Sequence, residues 1–194
     1  VIEGKQRGTV IAARELNLAG IGDSQRNWAN DHIVYTHGFG VVAAYDNTSN
    51  AGKPAFFEQD LPPTGLLDVE QPRIYFGENS PAYSIVGGPA DGPKRELDFP
   101  TDDGQENYTY TGTGGVITGT PLNRLLFAVK YQEPNIVLSD LINPESRILE
   151  VRDPRDRVEK VAPWLEIDGD PYPAGVDGRV MWMVDAYTTS DAYP

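Results

Sequence analysis

Residues 107–131 read NYTYTGTGGVITGTPLNRLLFAVKY, and this stretch carries both kinds of regular structure. It opens on NYTYTG (107–112), a tyrosine- and threonine-rich run ended by glycine, which is a strand pattern. It closes on a capped helix. Thr120 is a good N-cap and Pro121 suits the first helical position. Leu122, Leu125, Leu126 and Val129 then recur at i, i+3, i+4 and i+7, which predicts one buried stripe up to about Tyr131. Between strand and helix lies TGTGGVITG (111–119). A glycine-rich segment before a helix is the setting of a phosphate cradle, but the Gly-Lys-Ser/Thr ending of a P-loop is missing and Ile117 stands where a dinucleotide pattern needs glycine. The expected role is a tight turn or bulge feeding the helix, whose first amides can hold an anion.

Working outward, further strand-like runs are GTVIAAR (8–14), HIVYTHGFGVVAAY (32–45), PAFFE (54–58), RIYF (73–76), YSIVG (83–87), RELDF (95–99) and RVMWMVDAY (179–187). Asp177-Gly178 lies between two such runs as a hairpin turn. Asp153-Pro154 starts a second helix with acid-before-base pairs at Asp153/Arg157 and Asp156/Lys160, and Pro163 ends it. No repeat or low-complexity tract interrupts the pattern. The expectation is an α+β fold: one β-rich domain over 1–194, mainly antiparallel, with two or three short helices in its second half and a flexible stretch at 1–7.

The 194 residues carry 16 basic and 29 acidic side chains, a formal charge of −13. With 39% hydrophobic and 23% charged residues, this is the composition of a folded globular chain. The acidic balance argues against nucleic acid, which demands excess positive charge, and against an anionic lipid surface. The apolar runs 125–129 and 180–184 are far too short to span a bilayer, so no direct lipid insertion is expected. Absence of cysteine excludes disulfides, thiol nucleophiles and cysteine zinc sites. The chain opens at Val1 without a leader and stops at Pro194, so it reads as a piece of a longer protein.

Candidate chemistry is sparse. His32 and His37 are the only histidines; five apart in a strand, they point to opposite faces. His37, followed by glycine, is the better candidate for a general base or an anion contact. Glu166, Asp168 and Asp170 alternate in LEIDGDPYP, and an extended backbone would line them up to attract calcium. An EF-hand does not fit, because Pro171 and Asp177 stand where glycine and glutamate are needed. Arg147, Arg152, Arg155, Arg157 and Lys160 are offset by four acids, which reads as a salt-bridged face. Trp164, Tyr172, Trp182, Tyr187 and Tyr193 are candidates for a stacking platform or for ordinary core and rim positions. No nucleophile elbow or zinc-protease helix occurs.

Several blocks, read as strings, resemble uncharacterised protein family 0182: VIAARELNL (10–18), NWANDHIVYTHGFGVVAA (27–44), QPRIYFGE (71–78), TYTGTGGV (109–116), NRLLFAVKYQEPNIVLS (123–139) and, most specific, the closing 152–194. The resemblance implies a large multi-pass membrane protein, mainly actinobacterial and cyanobacterial, with its spans towards the N-terminus and a big extracytoplasmic domain of which this chain is part. It brings no catalytic motif. Asp31 and Ala186 stand where the pattern suggests a basic residue and glycine. The first expectation is therefore a non-enzymatic binding or assembly module at the cell envelope. Its partners would be the parent membrane region in cis and an envelope protein or carbohydrate. The alternatives are an envelope hydrolase using His37 with Asp168 and Asp170, and a calcium-stabilised module using Glu166, Asp168 and Asp170.

Overall fold

The computed structural model describes residues 6–190. The expected flexibility of 1–7 lies mostly outside that range, as does Tyr193. In chain order the strands are β1 (Thr9–Ala13), β2 (Gly38–Phe39), β3 (Val41–Asn50), β4 (Lys53–Gln59), β5 (Thr64–Gly65), β6 (Arg73–Ile74) and β7 (Tyr83–Val86). They continue as β8 (Glu96–Thr101), β9 (Gly104–Tyr108), β10 (Val116–Ile117), β11 (Arg147–Glu150), β12 (Glu166–Ile167), β13 (Tyr172–Val176), β14 (Arg179–Met183) and β15 (Ala186–Tyr187). The helices are α1 (Pro121–Tyr131), α2 (Asn135–Leu138) and α3 (Pro154–Val161). All the paired strands run antiparallel, so the α+β expectation holds.

The chain divides into two compact units. The first takes residues up to Glu15, Gly38–Ile74 and residues from Asp153 onward; the second takes Leu16–His37 and Tyr75–Arg152. In the first, β1-β3-β4-β5 form a four-stranded sheet, with the pairs β2-β6, β13-β14 and β12-β15 beside it in sequence. The register of β3 on β4 shifts twice, between Ala43 and Ala44 and again before Ser49, and such bulges bend a strand pair. The β13–β14 hairpin turns at Asp177 and Gly178, with φ of 48° and 71°, the left-handed pair that tight hairpins require. Asp153 caps α3 by accepting from the Arg155 amide at 2.8 Å.

The second unit is built on a three-stranded sheet in the order β10-β11-β7. Period-two alternation sends Ile148 and Ile85 to one cluster, with Ile33, Tyr83, Ile136 and Ile142, and sends Leu149 and Val86 to another with Tyr75. Both faces of the β11-β7 pair are therefore buried, which explains why YSIV shows no polar alternation. Gly119 is required for close approach: a Cβ there would stand 2.2 Å from Pro144 Cα. The glycine-rich segment is thus the turn into α1.

Two readings are corrected. Residues 32–45 are not one strand. Asn30–Val34 form a π-helical turn, held by the Asn27 side chain accepting from the Asn30 amide, and pairing begins only at Gly38. Ile33 enters the core from this turn, and that burial overrides the β preference of HIVY. The second correction concerns α1. Its boundaries and the Thr120 cap are as expected, with Thr120 Oγ1 accepting from Asn123 N at 3.3 Å. Its aliphatic stripe, however, faces outward: Leu122, Leu125, Leu126 and Val129 are 65%, 55%, 59% and 70% exposed. Arg124, Phe127, Ala128 and Tyr131 repeat the same spacing two residues later, on the opposite side of the helix. Phe127, Ala128 and Tyr131 pack on the core, while Arg124 hydrogen-bonds the carbonyls of Ser139 and Ile142.

Candidate functional site

β8 places Glu96 and Asp98 two residues apart, so both side chains point to one face of the strand, and here that face is inward. They meet Thr36 and His37, which follow the π turn; all four are buried. Glu96 is the hub. Its Oε2 accepts from the hydroxyls of Thr36 at 3.0 Å and Tyr75 at 2.7 Å. Its Oε1 accepts from the amides of Gly87 at 2.9 Å and Tyr110 at 2.8 Å. Because Thr36 gives its only proton to Glu96, its oxygen receives the Nδ1–H of His37 at 2.9 Å. His37 Nε2 lies 3.1 Å from Asp98 Oδ1, within hydrogen-bond distance. The ring is also held against Tyr75, centroids 4.6 Å apart.

Arg152 closes the same region. It is 2% exposed, donating from Nε to Tyr75 O at 2.8 Å, from Nη1 to Ser84 Oγ at 2.5 Å and from Nη2 to Thr36 O at 2.5 Å. These are neutral oxygens, and burial lowers its pKa to about 10. The surface face expected for the basic cluster therefore excludes Arg152: the guanidinium is an internal clamp joining three backbone segments. His32, the other histidine, stacks on Tyr83 at 4.0 Å with its Nδ1 against Tyr83 O at 3.0 Å, and burial lowers its pKa.

His37 lies in the second unit, and Glu166, Asp168 and Asp170 lie in the first. The acidic row is not extended throughout. Strand β12 stops at Ile167, the Asp168 amide pairs with Asp185 O, and Asp168 Oδ1 accepts from Asp170 N at 3.3 Å. Among the described residues no three His, Asp or Glu side chains converge to hold a metal ion. Of the stacking candidates, Trp164, Tyr172 and Tyr187 are exposed. Two open recesses are described in the first unit: one of about 410 Å³ lined by Arg155, Asp156, Glu159, Glu166 and Asp168, and a groove of about 520 Å³ on the bent β1-β3-β4 sheet. Val10, Ala12, Val42, Ala44 and Phe56 line the groove, and Lys53 stands at its polar end.

Sequence reading singled out His37 but missed its partners Thr36, Tyr75, Glu96 and Asp98. The available signal was RELDF: acids alternating with apolar residues in a strand, with no way to tell which set turns inward.

The model of the Uncharacterised protein family (UPF0182) matches residues 1–194. The chain belongs to this family. A UPF0182 protein of Arthrobacter sp. (strain FB24) is 55% identical over 200 residues, covering all of this chain and 20% of that protein. UPF0182 proteins of Kineococcus radiotolerans and Streptomyces coelicolor are 52% and 51% identical, each covering 99% of the chain and 19% of the relative. The chain thus spans about a fifth of the length of the curated UPF0182 relatives it matches. No solved structure matches it. Among the described residues no helix is long and apolar enough to cross a membrane.

Proposed function

We propose that these residues form a non-enzymatic module of a longer UPF0182 protein, held on the extracytoplasmic side of the membrane and serving assembly or ligand recognition at the cell envelope. The observation that carries this reading is the Glu96 hub. The side chains with the chemistry for acid–base work are turned inward, and the hydrogen bonds of Glu96 go to two backbone amides and two hydroxyls. Such a cluster fixes the approach of the π turn, β7 and β8 and is placed for rigidity. The groove on the first unit's sheet gives the module an apolar recess with a polar end, suited to an envelope peptide or carbohydrate. The share of the relatives' length that lies outside these residues leaves room for a membrane region in cis.

The hydrolase reading is favoured by one feature, the 3.1 Å contact of His37 with Asp98, which matches how a carboxylate orients a catalytic imidazole. Two assays separate the readings. Isolated chain is incubated with envelope-derived esters and glycosides; no turnover is expected, and turnover abolished by His37→Gln overturns the proposal. Placement is tested by a single cysteine at exposed Thr48 in the full-length protein: an impermeant maleimide is expected to label it in intact cells. Labelling only after lysis contradicts the placement.

A further inference from the structure

We infer that the outward stripe of α1, Leu122, Leu125, Leu126 and Val129, with Leu138 of the adjoining α2, is the docking surface for an apolar segment of the same polypeptide lying outside residues 1–194. The inference rests on the reading that these residues belong to a longer UPF0182 chain.

Helix α1 is apolar on two opposite sides. One side already packs through Phe127, Ala128 and Tyr131. The other carries the purely aliphatic stripe, at the spacing of a face that packs against another element. Leu138, on α2 which packs beside α1, is likewise exposed, at 74%. A surface helix of a finished domain puts charged residues on its outer side. Here the two basic residues of α1 are occupied elsewhere, Arg124 with the carbonyls of Ser139 and Ile142, and Lys130 with Glu150.

The size of the patch selects the occupant. At these exposures the five side chains present roughly 600 Å², short of the about 800 Å² per partner of a stable association between free molecules. A second copy of the chain is therefore a poor match. A segment tethered in cis meets the patch at an effective concentration in the millimolar range, and for it the same area is sufficient. Four fifths of the length of the matched relatives lies outside this region, so such a segment is available.

The experiment compares the 194-residue chain with the full-length protein. The chain has no native cysteine, so Leu125→Cys and Val129→Cys are introduced singly, with Thr48→Cys in the β3–β4 hairpin as the exposed control. Maleimide labelling is read by mass. Positions 125 and 129 are expected to react rapidly in the 194-residue chain and at least tenfold more slowly in the full-length protein, while position 48 reacts alike in both. Hydrogen exchange over 121–131 without any substitution supplies the second readout, with protection expected only in the full-length protein. Equal labelling and equal exchange in both proteins overturn the proposal. Concentration-dependent protection in the 194-residue chain overturns it in favour of a second copy. Protection lost on transfer from bilayer to detergent, with the fold intact, overturns it in favour of lipid. An immunoblot of cells showing only a product near 21.3 kDa refutes the underlying reading instead, and the two failures are thereby distinguished.

Discussion

Replacing Glu96 by Gln removes one charge and changes almost no volume, so it isolates what the hub carboxylate does. In the native unit Glu96 accepts four hydrogen bonds, two from fixed backbone amides and two from hydroxyls. Bonds to a charged acceptor contribute about 1.5–3 kcal/mol each, against about 0.5–1.5 for neutral pairs. Gln keeps an oxygen towards the amides of Gly87 and Tyr110. Towards Thr36 and Tyr75 it presents an NH₂, so both hydroxyls must turn and each loses the acceptor for its proton. The expected loss is about 2–4 kcal/mol, or about 5–15 °C in Tm for a chain of this length. Thermal and urea unfolding of both proteins at pH 7, followed by circular dichroism, measure it. A change below about 1 kcal/mol with an unaltered urea slope refutes the hub as a stabilising element.

The same substitution at Glu58 has the opposite expected sign. Glu58 is 1% exposed, Oε2 accepts from the Leu67 amide at 3.0 Å, and Oε1 has no hydrogen-bond partner among the described residues, so Glu58→Gln is expected to be neutral or stabilising by up to about 1 kcal/mol in urea unfolding. On α1, Leu122→Gln and Val129→Gln in the 194-residue chain are expected to change stability by no more than about 0.5 kcal/mol each, whereas Ile136→Ala on neighbouring α2 loses about 2–5 kcal/mol. Alkaline pH acts through Tyr83, Tyr110 and Tyr131, whose pKa values are raised first of all by burial, and for Tyr131 also by the Glu150 carboxylate. The folded chain keeps phenol protons that the unfolded chain releases from about pH 10, so their stabilisation is complete below that pH and is lost above it. Arg152, lowered to about 10, acts in the opposite sense over the same window; with three groups against one, the urea midpoint is expected to fall between pH 9 and 11, less steeply in Tyr131→Phe. Millimolar calcium is expected to leave Tm unchanged; a shift abolished by Asp168→Asn would contradict this and establish the acidic turn as a site.

What was legible in the sequence was local. Thr120-Pro121 and Asp153-Pro154 mark helix starts because the cap and the proline act within one turn, and Asp177-Gly178 marks a hairpin because few residues accept two left-handed positions. What was not legible depended on which side a segment turns. Helix α1 carries two stripes of identical spacing, and the more hydrophobic one lies outside, a choice that no single-helix pattern reveals. RELDF announces a strand equally well with its acids in or out. HIVY has the composition of a strand and folds as a π turn because Ile33 and His32 gain the core and Tyr83 by doing so. The acidic row at 166–170 depended on an extended backbone, and β12 ends after two residues.

The central claim is that the acid–histidine cluster is sealed scaffold. The most direct test is the low-field proton NMR spectrum of the 194-residue chain, where an imidazole N–H shielded from water gives a resolved signal. The His37 Nδ1–H, donated to buried Thr36, is expected to appear as a sharp line that resists exchange with water and disappears in His37→Gln. A His37 ring whose protons exchange too fast to be seen, in a chain otherwise folded, would contradict the claim and return His37 to the list of groups that trade protons with a substrate.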